Sequence, residues 1–337
     1  MSCSGVKVSL IPEDKKVFGK EEGMSLPTMS AVICTRNRGE RILASVESIL
    51  ANDHPAFELI VVDQSTDEVT GTALRRFHYD RRLRYITTPT KGLGLARNIG
   101  LRLARAPLVA FTDDDCRVPS DWLRIIEDEL RREPQAAVLF CNVFEGPHDT
   151  GAGFIPGYQL RQRAVVKTFW QKCRARGIGA GMAVRREPVL AIGGFDEALG
   201  AGGRFPSAED ADIAVRAIAH GWYVLETPAT FVIHDGFRTW REARELAARD
   251  WEGLGAAYIK PLKAGRWQVG IVLLYEFLVP ALIEPLLPLL HLQRPRGLGR
   301  LVALIRGCLL GLACPINREQ LVYQGVTGIL VVVERSL

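Results

Sequence analysis

SAVICTRNRGERILASVESILANDHPAFELIVVD, residues 30–63, is the stretch that decides the fold class. Ser30 to Cys34 is a short apolar run that reads as a buried strand, Arg41 to Leu50 carries apolar residues at helical spacing, and Phe57 to Val62 is a second apolar run ending on Asp63. The alternation continues with a helix around residues 69–77, a short strand over 83–86, a helix over 95–104 and a strand over 108–112. Strands alternating with helices imply parallel pairing, hence an α/β sheet covered on both faces. Ligands of such sheets bind beyond the carboxyl ends of the strands. Those ends deliver Thr35 to Arg38, Asp63 to Asp67, and Asp113-Asp114-Asp115, so polar groups gather at one rim.

The bulk properties are consistent with this. The 337 residues, 47% hydrophobic, suffice for one large or two smaller domains with a sizeable core and exclude a disordered chain. The formal net charge of +5 comes from scattered arginines rather than basic blocks, which argues against nucleic-acid binding and leaves a weakly basic surface near acidic lipid open. Seven cysteines, at 3, 34, 116, 141, 173, 308 and 314, form no CxxC pair, so free thiols and a reducing compartment are expected. Residues 1–27 hold Glu13 to Lys16 and Lys20 to Glu22 without a long apolar run, and read as a loose extension rather than a secretory signal.

Three adjacent carboxylates after Leu108 to Phe111 repel one another. A divalent cation such as magnesium or manganese removes the conflict; an exposed acidic turn or a helix start before Pro119 to Leu130 is the plainer alternative. A second acidic pair, Glu209-Asp210, stands ahead of the helical pattern Ile213 to His220. It reads either as helix capping or as a carboxylate held ionised to accept a proton.

The segments SAVICTRNRGERILASVESIL, ELIVVDQSTD, GLARNIGL, VAFTDDDCRVPSDWL, GAGMAVRREPVLAIGGFDE and SAEDADIAVRAIAHGW, in this order, resemble those of the family 2 glycosyltransferases over roughly residues 29–236. The resemblance implies a GT-A type, Rossmann-like, mostly parallel sheet flanked by helices, with a catalytic domain over 28–245. It implies inverting transfer of a sugar from a nucleotide-diphosphate sugar to an acceptor hydroxyl. In that pattern Thr35 and Arg36 fall where the first loop touches the nucleotide, and Asp63 where the base is recognised; Gln64 departs from the commoner Asp and leaves the base open. Arg97 and Asn98 match the ARN segment near the diphosphate. Asp113 and Asp115 match the outer DxD positions facing ribose and metal, with Asp114 supporting either. Asp210 matches the general base, Glu209 an acceptor-orienting residue, and His234 a third metal ligand found in several members. Gly181 and Met182 fall near donor and acceptor contacts; Trp170 and Trp222 fit the core better than a sugar platform. The implied cofactor is Mn2+ or Mg2+, and the implied partners are the donor and a glycan or lipid-linked acceptor of the kind used in cell-envelope polysaccharides.

Residues 246–337 carry no further motif but hold two apolar stretches, 269–292 and 301–316. Glu276, Glu284 and three prolines disfavour a simple membrane span in the first, and Arg306 interrupts the second. Helices lying on the inner membrane face, flanked by Arg294, Arg296 and Arg300, are the expectation; a helical bundle packed on the catalytic domain is the alternative. The QxxRW element of processive synthases is missing, which favours single addition. Gly92-Leu93-Gly94 follows no convincing first strand, which disfavours a dehydrogenase. A nucleotidyltransferase would place a Gly-rich basic loop where this chain has CTRNRGER, and an inactive binding protein would lose the Asp113, Asp115 and Asp210 carboxylates present here.

Overall fold

The structure is a computed structural model that describes residues 8–12, 26–295, 297–325 and 330–337. Its principal strands are β1 (Val8–Pro12), β2 (Met29–Thr35), β3 (Phe57–Asp63), β4 (Leu83–Thr87), β5 (Leu108–Asp113), β6 (Ala136–Glu145), β7 (Met182–Arg185), β8 (Tyr223–His234) and β9 (Leu330–Arg335). Its principal helices are α1 (Leu43–Leu50), α2 (Val69–Leu74), α3 (Leu93–Leu103), α4 (Trp122–Arg132), α5 (Glu209–Ala219), α6 (Trp240–Lys263), α7 (Gly270–Leu278) and α8 (Gly299–Ala313).

One large sheet runs in the order β1-β9-β4-β3-β2-β5-β7-β6-β8. Strands β4, β3, β2 and β5 are parallel, as the strand–helix alternation implies; β7 lies antiparallel between β5 and β6, and β8 is parallel to β6. The register explains the rim: Thr35 pairs with Asp63, and Cys34 with Asp113, so the polar strand ends fall in line.

Period-two alternation splits the apolar residues between two layers. Ala31, Ile33, Leu59, Val61 and Ala110 pack on Val46 and Ile49 of α1 and on Trp122, Ile126 and Leu130 of α4. Val32, Ile60, Val62, Val109 and Phe111 pack on Ala96 and Ile99 of α3 and on Ile213, Ala214 and Ala217 of α5. Each Val, Leu, Ile or Phe among them contributes about 1.5–3 kcal/mol by leaving water, which fixes the frame that carries the strand-end loops.

The termini depart from expectation. Val8–Pro12, within the segment read as a loose extension, pairs in parallel with β9, and β9 pairs antiparallel with β4. Residues 13 to 22 of that segment lie outside the described residues. The boundary expected at residues 245 and 246 falls inside α6, which a Thr239–Glu242 capping box starts and which packs against α5, α7 and α8. Strand β9 returns the carboxyl-terminal region to the large sheet, so that region is not helical throughout. Sequence periodicity could not show this, because strand pairing between distant segments leaves no local mark.

Trp267–His291 is long and apolar enough to cross a membrane by length and composition. It is not one regular helix: α7 gives way to a π turn at Val279–Ile283, a short helix at Glu284–Leu286 and a 3-10 turn at Leu287–His291. All six cysteines among the described residues are free thiols.

Candidate active site

The triplet sits on the turn between β5 and a short bridge at Cys116–Arg117. That bridge pairs Cys116 with His234 and Arg117 with Ile233 of β8, which brings the triplet beside a histidine more than a hundred residues later. The Asp235 amide donates to the Asp115 carbonyl at 2.8 Å and locks the two turns together.

The three carboxylates differ in what they face. Asp114 is buried, accepts from Thr35 Oγ1 at 2.7 Å and lies 3.1 Å from Arg38 Nε. Burial, only partly offset by Arg38 and Thr35, pushes its carboxyl up to about 6. Asp115 accepts from Arg38 Nη2 at 3.1 Å and lies 3.3 Å from His234 Nε2. Burial raises its carboxyl, but His234 and Arg38 outweigh that and hold it below the ordinary range. Asp113, 3.6 Å from Arg97 Nη2, is raised by burial and by Asp115 despite the arginine.

His234 Nδ1 lies 2.8 Å from the Pro156 carbonyl. A carbonyl only accepts, so Nδ1 carries a proton; burial works against the charged ring, but Asp115 and the Pro156 carbonyl outweigh it and raise the His234 pKa, so Nε2 shares a proton with Asp115 that a cation ligated at Nε2 would displace. One ligand atom each from Asp113, Asp115, Cys116 and His234 lie within 4.8 Å of one another. Cys116 is the poor member of this set, because burial and the neighbouring carboxylates raise its thiol far above the usual range. Two carboxylates and an imidazole remain, a donor set that suits a borderline-hard divalent cation. Gly236 belongs to the same construction: a Cβ there would stand 2.5 Å from His234 Nε2 and 2.8 Å from Asp115 Oδ2.

These residues open on a cleft of about 340 Å³ lined also by Thr35, Arg36, Arg38, Lys91, Gly202 and Arg238. Arg38, Lys91 and Arg238 are cations that motif reading missed. Arg38 stands at a strand end in the sequence, but its partners depend on register, and Arg238 is placed by its antiparallel pairing with Phe154.

The second half of the site is reached through Arg97. This side chain, 2% exposed, donates from Nη1 to Glu209 Oε1 at 2.8 Å while its other nitrogen approaches Asp113. Gly179 leaves the room, since a Cβ there would lie 2.5 Å from the guanidinium. Burial, countered by Arg97 and reinforced by Asp210, pushes the Glu209 carboxyl up to about 7. Ala208, in the left-handed region at φ 72°, turns the chain into α5 so that Glu209 and Asp210 stand on its first turn. Left-handed backbone costs a non-glycine residue about 1–2 kcal/mol, a cost met by the packing around it. Asp210 accepts from the amides of Gly179 at 2.8 Å and Ala211 at 2.7 Å, which fixes its carboxylate.

The remaining residues singled out by motif lie elsewhere. Asp63 accepts from Tyr85 Oη at 2.6 Å and from the Ser65 amide at 2.8 Å, and faces a separate depression of about 280 Å³ lined by Thr66, Arg75 and Arg335. Gln64, by contrast, does line the cleft and braces the following loop through Thr90 and the Gly92 amide. Asn98, 1% exposed, gives its amide to Phe195 and Glu197 and holds the GGFDE turn rather than lining the cleft. Gly181 packs against Cys141 and Val143, and Met182 is fully buried, so neither lines the cleft either. The glycines of 177–181 serve contact with Arg97 and the core rather than an open sugar pocket.

Residues 30–191 match the model of glycosyl transferase family 2. That match covers just under half of the chain. A family 2 reading agrees with relatives of similar description: an uncharacterized glycosyltransferase of Rickettsia bellii is 30% identical over 87 residues, covering 26% of this chain and 13% of the relative. The chain therefore spans only a small part of that relative's length. Among solved structures, the mannosyltransferase PcManGT from Pyrobaculum calidifontis, in complex with GDP-Man and Mn2+, superposes with a TM-score of 0.57 at 20% identity, covering 86% of this chain and 88% of that one. S. aureus TarS 1–349 gives 0.55 at 18% identity, covering 70% and 65%. At these identities the likeness is one of fold, and the fold is GT-A.

Proposed function

We propose that the protein is an inverting glycosyltransferase that moves a sugar from a nucleotide-diphosphate sugar to a hydroxyl of a glycan or lipid-linked acceptor, one sugar per reaction. The observation that carries this reading is the joining of two acidic centres by one buried arginine: Asp113 on the cation-ligating side, and Glu209 beside Asp210 on the other. The family 2 match and the nucleotide-sugar complex of PcManGT support the donor class.

Asp113, Asp115 and His234 Nε2 would hold Mn2+ or Mg2+, with the imidazole favouring manganese. Such an ion, when bound, supplies positive charge against the diphosphate as it leaves. Arg38, Lys91 and Arg238 add charge of the same sign around the cleft and draw the donor in. Thr35 and Arg38 fix Asp114, whose carboxylate is taken up by those contacts rather than by the cation.

Asp210 is the base. Its carboxylate, oriented by two backbone amides, takes the proton of the acceptor hydroxyl as that oxygen bonds to the anomeric carbon and the bond to the diphosphate breaks on the opposite side. Glu209 is tied to Arg97 and so serves position, not proton transfer. The free thiols and the exposed apolar helices suit a cytoplasmic enzyme at the inner face of a membrane.

A thermal-shift screen of UDP-, GDP- and dTDP-sugars with and without manganese tests the donor class. One nucleotide series should stabilise the protein only when metal is present. A protein that none of them stabilises would contradict the proposal.

A further inference from the structure

We infer that the carboxyl-terminal helices form an in-plane docking face for an anionic phospholipid surface. This deepens the membrane-side placement above and rests on it for the compartment. Among the described residues, fourteen of the twenty exposed large apolar side chains lie between Trp267 and Leu312. They are not scattered. On α8, Val302, Ile305, Leu309 and Leu312 recur at intervals of three and four and make one exposed stripe, while Ala303, Leu304, Gly307 and Gly311 are buried. On α7, Ile271, Leu274 and Leu278 face outward at the same spacing, and Val272 and Glu276 face inward.

Both helices pack on α6, and Ala281 of the π turn joins Trp251, Ala303 and Leu304 in one buried cluster. The inner sides of α7, the turn and α8 therefore meet in one cluster, with their exposed stripes outside it. The turn linking them adds Leu290, 79% exposed, and Leu292, 99% exposed. An apolar surface of this extent marks a site of association.

Charge at its edges says what with. Arg266 precedes the exposed Trp267 at one end of the apolar stretch and Arg294 follows Leu292 at the other, both exposed, while the exposed Arg306 on α8 lies 3.2 Å from Glu252. The one exposed carboxylate on the linking turns, Glu284, lies 3.7 Å from Arg300. Apolar side chains rimmed by arginines and a tryptophan match the boundary between acyl chains and anionic headgroups, where such helices sink about 5–10 Å.

The inner side keeps the layer from spanning the bilayer. Arg176 Nη2 donates to both carboxylate oxygens of Glu276 at 2.9 Å, and Glu276 is buried. Drawing α7 across a bilayer would break that pair and strand a carboxylate in hydrocarbon. Arg176 also lies three residues ahead of Gly179, whose amide holds Asp210. The layer is thus tied, through Glu276 and Arg176, to the loop whose Gly179 amide holds the base.

Flotation of the full chain with vesicles of phosphatidylcholine alone, or mixed with phosphatidylglycerol, tests this. The wild type should float with the mixed vesicles, and about tenfold less with neutral ones or in high salt. Leu290→Asp combined with Leu309→Asp, both on exposed positions, should lower flotation at least about tenfold. Donor affinity measured without vesicles should be the same in both proteins; its loss in both would fault the proposed function and leave the flotation result standing. A wild type that floats with neither vesicle overturns the inference, as does a dimer in light scattering that the double variant dissolves, since the face would then close on a second copy.

Discussion

Arg97 Nη1 lies 2.8 Å from Glu209 Oε1, joining residues 112 positions apart, and Nη2 of the same guanidinium lies 3.6 Å from Asp113. Only a fork reaches both anions. Arg97→Lys keeps the charge but one contact at most, and a charge-assisted hydrogen bond is worth about 1.5–3 kcal/mol. Urea unfolding should register a loss of that order, and donor affinity should fall with it. A lysine variant as stable as wild type would show that the two halves of the site do not depend on this bridge.

The raised carboxyl of Glu209 gives a pH test with a definite sign. Its folded pKa, about 7, exceeds its ordinary value of 4.5, so ionisation costs the folded state nothing below 4.5 and progressively more as pH rises toward 7. Glu209→Gln removes that cost. The melting temperature of the variant relative to wild type should therefore rise between pH 5 and pH 7.5 by amounts a scan resolves. A difference that falls over this window would mean that Arg97, not burial, dominates.

Gly236→Ala tests the packing around His234. Backbone carrying a Cβ there would press on His234 Nε2 and Asp115 Oδ2, so manganese affinity, read by titration in the presence of nucleoside diphosphate, should fall at least about tenfold, as metal sites do when a supporting neighbour is disturbed. His234→Ala should weaken it further. If both variants bind manganese as wild type does, the histidine is not a ligand.

The Arg176–Glu276 pair is asymmetric, with side chains 41% and 4% exposed. Removing the glutamate leaves an arginine that water can reach; removing the arginine leaves a buried carboxylate. Arg176→Met should destabilise the protein more than Glu276→Gln in chemical denaturation. Equal losses would mean that α7 does not hold Glu276 away from solvent.

The sheet was legible wherever period and motif are local. Ser30 to Asp63 announces its strand–helix–strand by spacing, and the parallel register then puts Thr35, Asp63 and Asp113 at one edge as expected. What the sequence could not show follows from long-range pairing. The pairing of Cys116 with His234 makes the histidine a neighbour of the triplet, and Arg38, Arg238 and Gly236 matter only through such pairings. Asn98 and Met182 share segments with family motifs, yet their side chains are spent on the GGFDE turn and the core. Motif matching locates a segment, whereas the direction of each side chain depends on packing. Strand β9 is invisible for the same reason: nothing local in its apolar run says that it pairs with β4.

Asp210→Asn tests the division of labour most directly. The amide keeps the shape and one acceptor oxygen but cannot take a proton, and general-base catalysis contributes about 10²–10⁴-fold. With donor sugar, manganese and an acceptor found active for wild type, the variant should bind donor with unchanged affinity and lose transfer by a factor in that range. Turnover comparable to wild type at equal donor affinity would contradict the account, because the bond-making step would then not depend on the carboxylate at the start of α5.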